Sequence, residues 1–130
     1  MSFVQSFSLD RWSGKTYDLV EATHPALDET EAAFARLDGR VRTLLSLYGA
    51  DASLMVGGGA GRYIVSHQFG DHSWTLTTPA AKAGRVLLAA GGQEGEYPEH
   101  LIVDRETALR ALRAFFVDGS RDAGLDWEQD

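Results

Sequence analysis

ASLMVGGGAGRYIVSHQFGDHSWTLTT, residues 52 to 78, consists of three short apolar runs separated by glycine-bearing breaks. Runs of this length, rich in β-branched and aromatic residues and closed by Gly or by Gly-Asp-His, read as strands joined by tight turns. The glycines of GGGAGR, residues 57 to 62, supply the positive φ that a hairpin turn needs. A second turn falls at Gln68-Phe69-Gly70-Asp71, flanked by His67 and His72. Hairpins of this kind make an antiparallel sheet.

Working outward, VRTLLSLYG precedes this stretch, GRVLLAA and HLIV follow it, and the amino-terminal FVQSFSL adds an edge strand. Two helices flank the strands. Asp28-Glu29-Thr30-Glu31 has the form of an N-cap with a capping acid three residues later, and Leu27 is placed to staple against Ala32. A helix is therefore expected from Glu29 to Leu37, stopping near Gly39. Asp104 is the second expected N-cap. Behind it Ala108, Leu109, Leu112, Phe115 and Phe116 recur at spacings of three and four before Gly119, which makes that face core. The expected fold class is α+β, a mainly antiparallel sheet of about five to seven strands packed against two helices. The chain has 130 residues and no linker, low-complexity segment or internal repeat, so residues 1–130 are expected to form a single domain.

There are no cysteines, which excludes disulfides, thiolate nucleophiles and cysteine zinc sites and suits a reducing compartment. The first residues lack a basic start with a continuous apolar stretch, and the longest apolar run, Val86 to Ala90, is far below the roughly 20 residues that span a bilayer. A cytoplasmic protein without membrane contact is expected.

Catalytic patterns are incomplete. GGGAGR matches neither the phosphate-binding G-x-x-x-x-G-K-[ST] loop nor the dinucleotide fingerprint, since Arg62 stands where the latter needs its third glycine. His67, His72 and Asp71 make at most part of a metal shell. Ser66 and His67 are neighbours in a strand, which sends them to opposite faces, and no G-x-S-x-G elbow is present. No catalytic residue, cofactor or metal is expected. Two alternatives keep distinct signatures: a small α+β enzyme would show a histidine of perturbed pKa, His67 or His72, in a deep polar pocket. A generic acidic adaptor would show an apolar edge or face.

The formal charge of −7 is uneven. Residues 91 to 130 hold ten acids and four bases, whereas residues 1 to 48 hold seven acids and five bases. Binding to nucleic-acid phosphates needs the opposite sign, so direct nucleic-acid contact is not expected and a basic partner is. The acidity begins in AAGGQEGEYPEHLIV, residues 89 to 103. Its Gly-Gly-Gln triplet has the form used catalytically by peptide-release factors, but such a factor needs a basic flank to enter ribosomal RNA, and here Glu94 and Glu96 follow directly. Gly91 and Gly92 instead shape a turn after a strand at 85 to 90, and Pro98 fixes the start of a strand at 100 to 103.

The order of these elements, namely a glycine-rich two-strand middle, Gly91-Gly92-Gln93 with Glu96-Tyr97-Pro98, an apolar strand, a helix with an A-L-x-A-L core and a C-terminal Trp127-Glu128, resembles the first-numbered family of bacterial immunity proteins from polymorphic toxin systems. The resemblance runs from about residue 30 to the end. It implies a protein that is not an enzyme and that sequesters a cognate toxin, often a deaminase-fold enzyme acting on nucleic acid. An acidic domain complements the basic cleft of such a toxin and accelerates its capture.

On that reading the residues free to meet the partner are Glu94, Glu96, Tyr97 and Glu99 on the loop, with Asp71, His72 and Trp74 around the hairpin as a second surface. Tyr97 is the expected anchor, because aromatics dominate interface hot spots. Asp10 and Asp18 lie outside the acidic third and are expected to matter little when neutralised. Trp127 is expected to dock on the body of the domain, since an indole so near the terminus orders only when packed.

Overall fold

The computed structural model describes residues 2–78 and 84–130. Strands β1 (Ser6–Ser13) and β2 (Thr16–Thr23) lead to helix α1 (Leu27–Ala35). Strands β3 (Leu44–Tyr48), β4 (Ala52–Gly59), β5 (Arg62–Phe69) and β6 (His72–Thr77) follow. Then come β7 (Arg85–Ala90), β8 (Gln93–Pro98), a 3-10 turn at Glu99–Leu101, helix α2 (Arg105–Asp118) and β9 (Asp126–Gln129). Seven strands pair antiparallel in the order β2-β1-β3-β4-β5-β6-β9, and β7 and β8 form a separate two-stranded ribbon. The architecture is the expected α+β class.

Alternation along the strands gives the sheet two different faces. Phe7, Leu9, Leu45, Leu47, Leu54, Val56, Val65 and Leu76 point one way and are buried. Onto them pack Ala33 and Phe34 of α1 and Ala108, Ala111, Leu112, Phe115 and Phe116 of α2, forming one core. Phe34 stacks on Tyr63 with ring centroids 5.0 Å apart. The helices are tied to each other at their solvent side, where Arg113 Nε donates to Glu31 at 2.8 Å. Asp104 caps α2 as expected, accepting from the Thr107 amide at 2.9 Å, and Gly119 ends it in the left-handed conformation with φ +79°.

Helix α1 starts two residues before its expected position. Its N-cap is Ala26, whose carbonyl accepts from both the amide and the hydroxyl of Thr30 at 3.0 and 2.9 Å. Asp28 caps nothing beyond the next amide, Glu29 N, at 2.8 Å. Leu27 packs partly buried against the core as the first helical residue, and Arg113 captures Glu31, the acid that the capping box needed.

The edge of the sheet also differs. The FVQSFSL segment supplies β1, which is second in the sheet, and the edge is β2, TYDLVEAT, exposed at every position except the half-buried Ala22. The other edge is β9, which pairs Trp127 with Leu76. Trp127 does dock on the core, half-buried, with its Nε1 donating to the Asp122 carbonyl at 3.2 Å.

The largest correction concerns residues 91 to 103. Gly91 and Gly92 make a turn, as expected, with φ +64° and +78°. Two consecutive left-handed residues form the tight turn whose twist matches that of paired strands. Residues 93 to 98 therefore fold back on β7 as strand β8, in the register Ala90 with Gln93 to Arg85 with Pro98, and do not form a loop. The expected strand at 100 to 103 is absent. Glu99–Leu101 turns as a 3-10 helix, and Val103 alone bridges to Tyr63.

Candidate partner-binding surfaces

The ribbon sits against the sheet face that the helices leave open. Three contacts hold it there. Leu88 is buried near Gly58, a Cβ on Gly57 would strike Ala90, and the Gly92 amide donates to Thr43 Oγ1 at 2.8 Å. Gly92 has a second reason to lack a side chain, because a Cβ there would run into the Trp12 indole. Thr43 and Trp12 both report to Asp10, a carboxylate only 4% exposed. It accepts from Trp12 Nε1 at 2.8 Å, from the amides of Thr43 and Leu44 at 2.6 and 2.9 Å, and from the Thr43 hydroxyl. The Gly-Gly-Gln stretch thus serves as the tip that docks the ribbon onto a buried, fully bonded carboxylate. Asp10 is therefore a structural acid, whereas Asp18 is an exposed partner of Arg11 at 3.5 Å.

The expected contact residues do not form one patch. Pairing within the ribbon places Glu94 and Glu96 on its outer side with Leu87 and Arg85, while Tyr97 shares the opposite side with Val86 and Leu88 and is half-buried beside Gly95. Glu96 is engaged by Arg85, which approaches its carboxylate to 3.8 Å and donates to its carbonyl at 3.2 Å. Glu96 and Glu99 line a groove of about 790 Å³ that also contains Arg62 and Arg85, so the local charge is mixed. Asp71 and His72 lie at the far end of β5 and Trp74 pairs with His67, about 10 to 17 Å along the strand from Ile64, whose partner Gly57 meets Ala90 of the ribbon. There Trp74 is covered by the Arg121 guanidinium, 3.6 Å from its ring centroid, and His72 Nδ1 lies 3.2 Å from Gln129 Nε2.

His67 is 2% exposed and ringed by Trp74, Phe115 and Trp127. Its Nε2 donates to the Gly119 carbonyl at 2.9 Å, which leaves Nδ1 with a lone pair and no partner. Burial holds the ring's pKa below the ordinary histidine value, with Arg121 adding to the effect against the opposing Gly119 bond. The perturbed histidine of the enzyme alternative is therefore present, and aromatic rings close on it and leave it 2% exposed. Ser66 and His67 do face opposite ways, Ser66 lying on the open side. Among the described residues no group of three or more His, Asp or Glu side chains is arranged to hold a metal ion.

A surface that the motifs did not single out is the uncovered part of the open face. One row of paired residues crosses all seven strands as Glu21, Ser8, Ser46, Met55, Ser66, Thr75 and Glu128. Beside it a cleft of about 450 Å³ is lined by Trp12, Tyr17, Leu19, Tyr48 and Met55, with Asp10 and Ser46 also in its wall and Gly91 and Gln93 of the ribbon on one side. Tyr17, Leu19, Tyr48 and Met55 are 56, 49, 40 and 37% exposed. The sequence signal was faint, because the four residues come from three strands, two of which were expected, and converge only through the register.

Fold and surface together define a small α+β protein with an antiparallel seven-stranded sheet, two helices on one face and a two-stranded ribbon over part of the other. A family model, Immunity protein Imm1, matches residues 18–129. The chain belongs to that family, as the sequence resemblance implied. No curated protein matches it. Among the described residues no helix is long and apolar enough to cross a membrane.

Proposed function

We propose that the chain acts as a single unit over residues 1–130 in the cytoplasm of the producing cell. There it binds and neutralises a cognate toxin domain, a basic nucleic-acid-directed enzyme of the deaminase type. Inhibition is by protein–protein contact, without catalysis, cofactor, metal or direct nucleic-acid binding by the chain itself. The observation that carries the immunity role is the family match over residues 18–129. The finer reading of the partner is supported by the charge of −7, concentrated in the last forty residues. A nucleic-acid enzyme needs a cationic cleft, and an acidic partner is drawn to it. Glu94 and Glu96 on the ribbon and Glu99 in the turn after it, with Tyr97 behind them, contribute to that attraction. Asp71, His72 and Trp74 form a second contact surface toward the opposite end of β5.

The test is to co-express the chain with the toxin domain encoded beside its gene. A stable complex on size exclusion, restored growth and suppressed base deamination are expected. Failure to form the complex or to restore growth overturns the proposal. Raising salt from about 50 to 500 mM should slow association by about tenfold and alter dissociation much less, as measured by stopped flow. A salt-independent on-rate would remove the basic partner while leaving immunity intact.

A further inference from the structure

We infer that the toxin docks on the open face of the seven-stranded sheet, over the cleft between β2, β1, β3 and β4, and not on the acidic ribbon. This deepens the immunity reading and rests on it. Three observations converge. The first is anchoring: tight interfaces are organised around exposed aromatic and long apolar side chains, and Tyr17, Leu19, Tyr48 and Met55 gather in one cleft with Trp12 in its wall. The ribbon's outer side offers only Leu87, Ala89 and the half-buried Pro98 as apolar groups, and Arg85 occupies one of its two acids.

The second is charge. The open-face strand positions carry Glu21 at the cleft edge on β2, Asp126 and Glu128 on β9 at the opposite edge of the sheet, the latter 3.4 Å from His100 Nε2, and the buried Asp10 beneath the cleft. Their one cation among the described residues is Arg62, at the end where the ribbon sits. An apolar centre with an acidic rim complements a basic protein surface and repels a second copy of this acidic chain. The third is continuity with a free edge. Strand β2, which supplies Tyr17 and Leu19, has among the described residues no neighbour on its outer side in the sheet, so the same surface offers its outer backbone groups to an incoming strand. The row across the face is serine and threonine, Ser8 and Ser46 in the cleft wall and Ser66 and Thr75 between the cleft and the far edge, small enough to admit close approach. The occupant is therefore a basic toxin domain that presents cations toward Glu21 and apolar or aromatic groups into the cleft.

The test uses the full chain and the toxin domain encoded beside its gene. Leu19→Arg and Met55→Arg should each weaken binding at least tenfold, chiefly through faster dissociation, with thermal midpoints near that of the parent. The double variant Glu94→Gln/Glu96→Gln should change affinity less than about threefold. Hydrogen exchange of the parental complex should show protection over 17–21, 46–48 and 53–56 and little over 93–98. If the parent binds the toxin but both arginine variants bind equally well, or if protection falls on the ribbon or the 71–74 hairpin, the docking surface is overturned and immunity stands. If the parent does not bind, both fall. Should an arginine variant melt early, the exchange pattern of the parent alone decides. A free chain that sediments as a dimer and is split by Leu19→Arg would show that a second copy covers this face, and would overturn the inference.

Discussion

Two neighbouring rows of the sheet can be read across all seven strands. One runs Glu21, Ser8, Ser46, Met55, Ser66, Thr75, Glu128, and the adjacent one runs Ala22, Phe7, Leu47, Leu54, His67, Trp74, Gln129. They lie one residue apart along every strand and face opposite ways. The second row meets α1 and α2 and holds the fold; the first runs beside the ribbon, which meets the same face at Gly57 and Trp12, and among the described residues no helix covers it. A single residue step thus separates burial that stabilises the molecule from a surface left for contact. That division sets the expected size of each substitution below.

The largest effect belongs to the covered row. Leu54→Ala removes a fully buried side chain from between the sheet and the helices and is expected to cost about 3 kcal/mol, read as a lower urea midpoint at unchanged slope. A loss under about 1 kcal/mol would mean that the helices do not seal this face. Asp10 comes next and is the exception on the open side. Asp10→Asn replaces an acceptor-only group by an amide in a site where four donors converge, so about 2 to 3 kcal/mol should be lost. The same substitution should loosen the ribbon, visible as faster hydrogen exchange at Gly92. Unchanged stability would show that the ribbon is held without its carboxylate.

These two residues also show how far the sequence could be read. Leu54 belongs to an apolar run closed by glycines, and such runs gave β4, β5, β6 and β7 almost at their true limits, because turn chemistry and apolar content agreed there. Asp10 was unreadable as a structural acid. Its partners Thr43, Leu44 and Trp12 become neighbours only when β1 meets β3, and nothing local marks an acid as buried. The same holds for β8, where QEGEYP has loop composition and becomes a strand because the Gly91-Gly92 turn returns it to β7. HLIV has strand composition but meets only Tyr63, through Val103, since the 3-10 turn after Pro98 takes up its first residues. Of the expected contact residues, the ribbon acids are exposed as foreseen, but pairing splits Tyr97 from Glu94 and Glu96. The Tyr17, Leu19, Tyr48 and Met55 cluster required the register itself.

A smaller effect tests the covered row by titration. His67 is held neutral by burial, with a folded pKa below its unfolded one, so the unfolded chain binds more protons as pH falls. Its contribution is present above about pH 6.5 and is lost as pH drops below that value toward the folded pKa. The thermal midpoint should therefore fall between pH 7 and pH 5, and His67→Phe should flatten that fall. The carboxylates held low by hydrogen bonds, Glu31 by Arg113, Asp104 by Thr107 and Asp122 by Arg110, act at more acid pH and do not confound the window. A slope unaffected by His67→Phe would assign it to other groups.

The smallest effect belongs to the residue next to Leu54. Met55 is on the same strand, of similar size and equally apolar, so sequence alone predicts similar consequences for its loss. The structure separates them: Met55 is 37% exposed on the open face, between Ser46 and Ser66, with no helix above it. Truncation to alanine there gives up only part of a side chain's burial and opens no enclosed cavity, because solvent reaches the site, so Met55→Ala should cost about 1 kcal/mol or less. Measured beside Leu54→Ala in the same urea series, the pair should differ by severalfold. If Met55→Ala instead costs as much as Leu54→Ala in the isolated chain, the open face is covered in solution by something the chain itself supplies, and the docking surface would have to be sought elsewhere. If Met55→Ala is silent in the isolated chain but shortens the lifetime of the toxin complex, then the side chain the fold does not need is the one recognition uses.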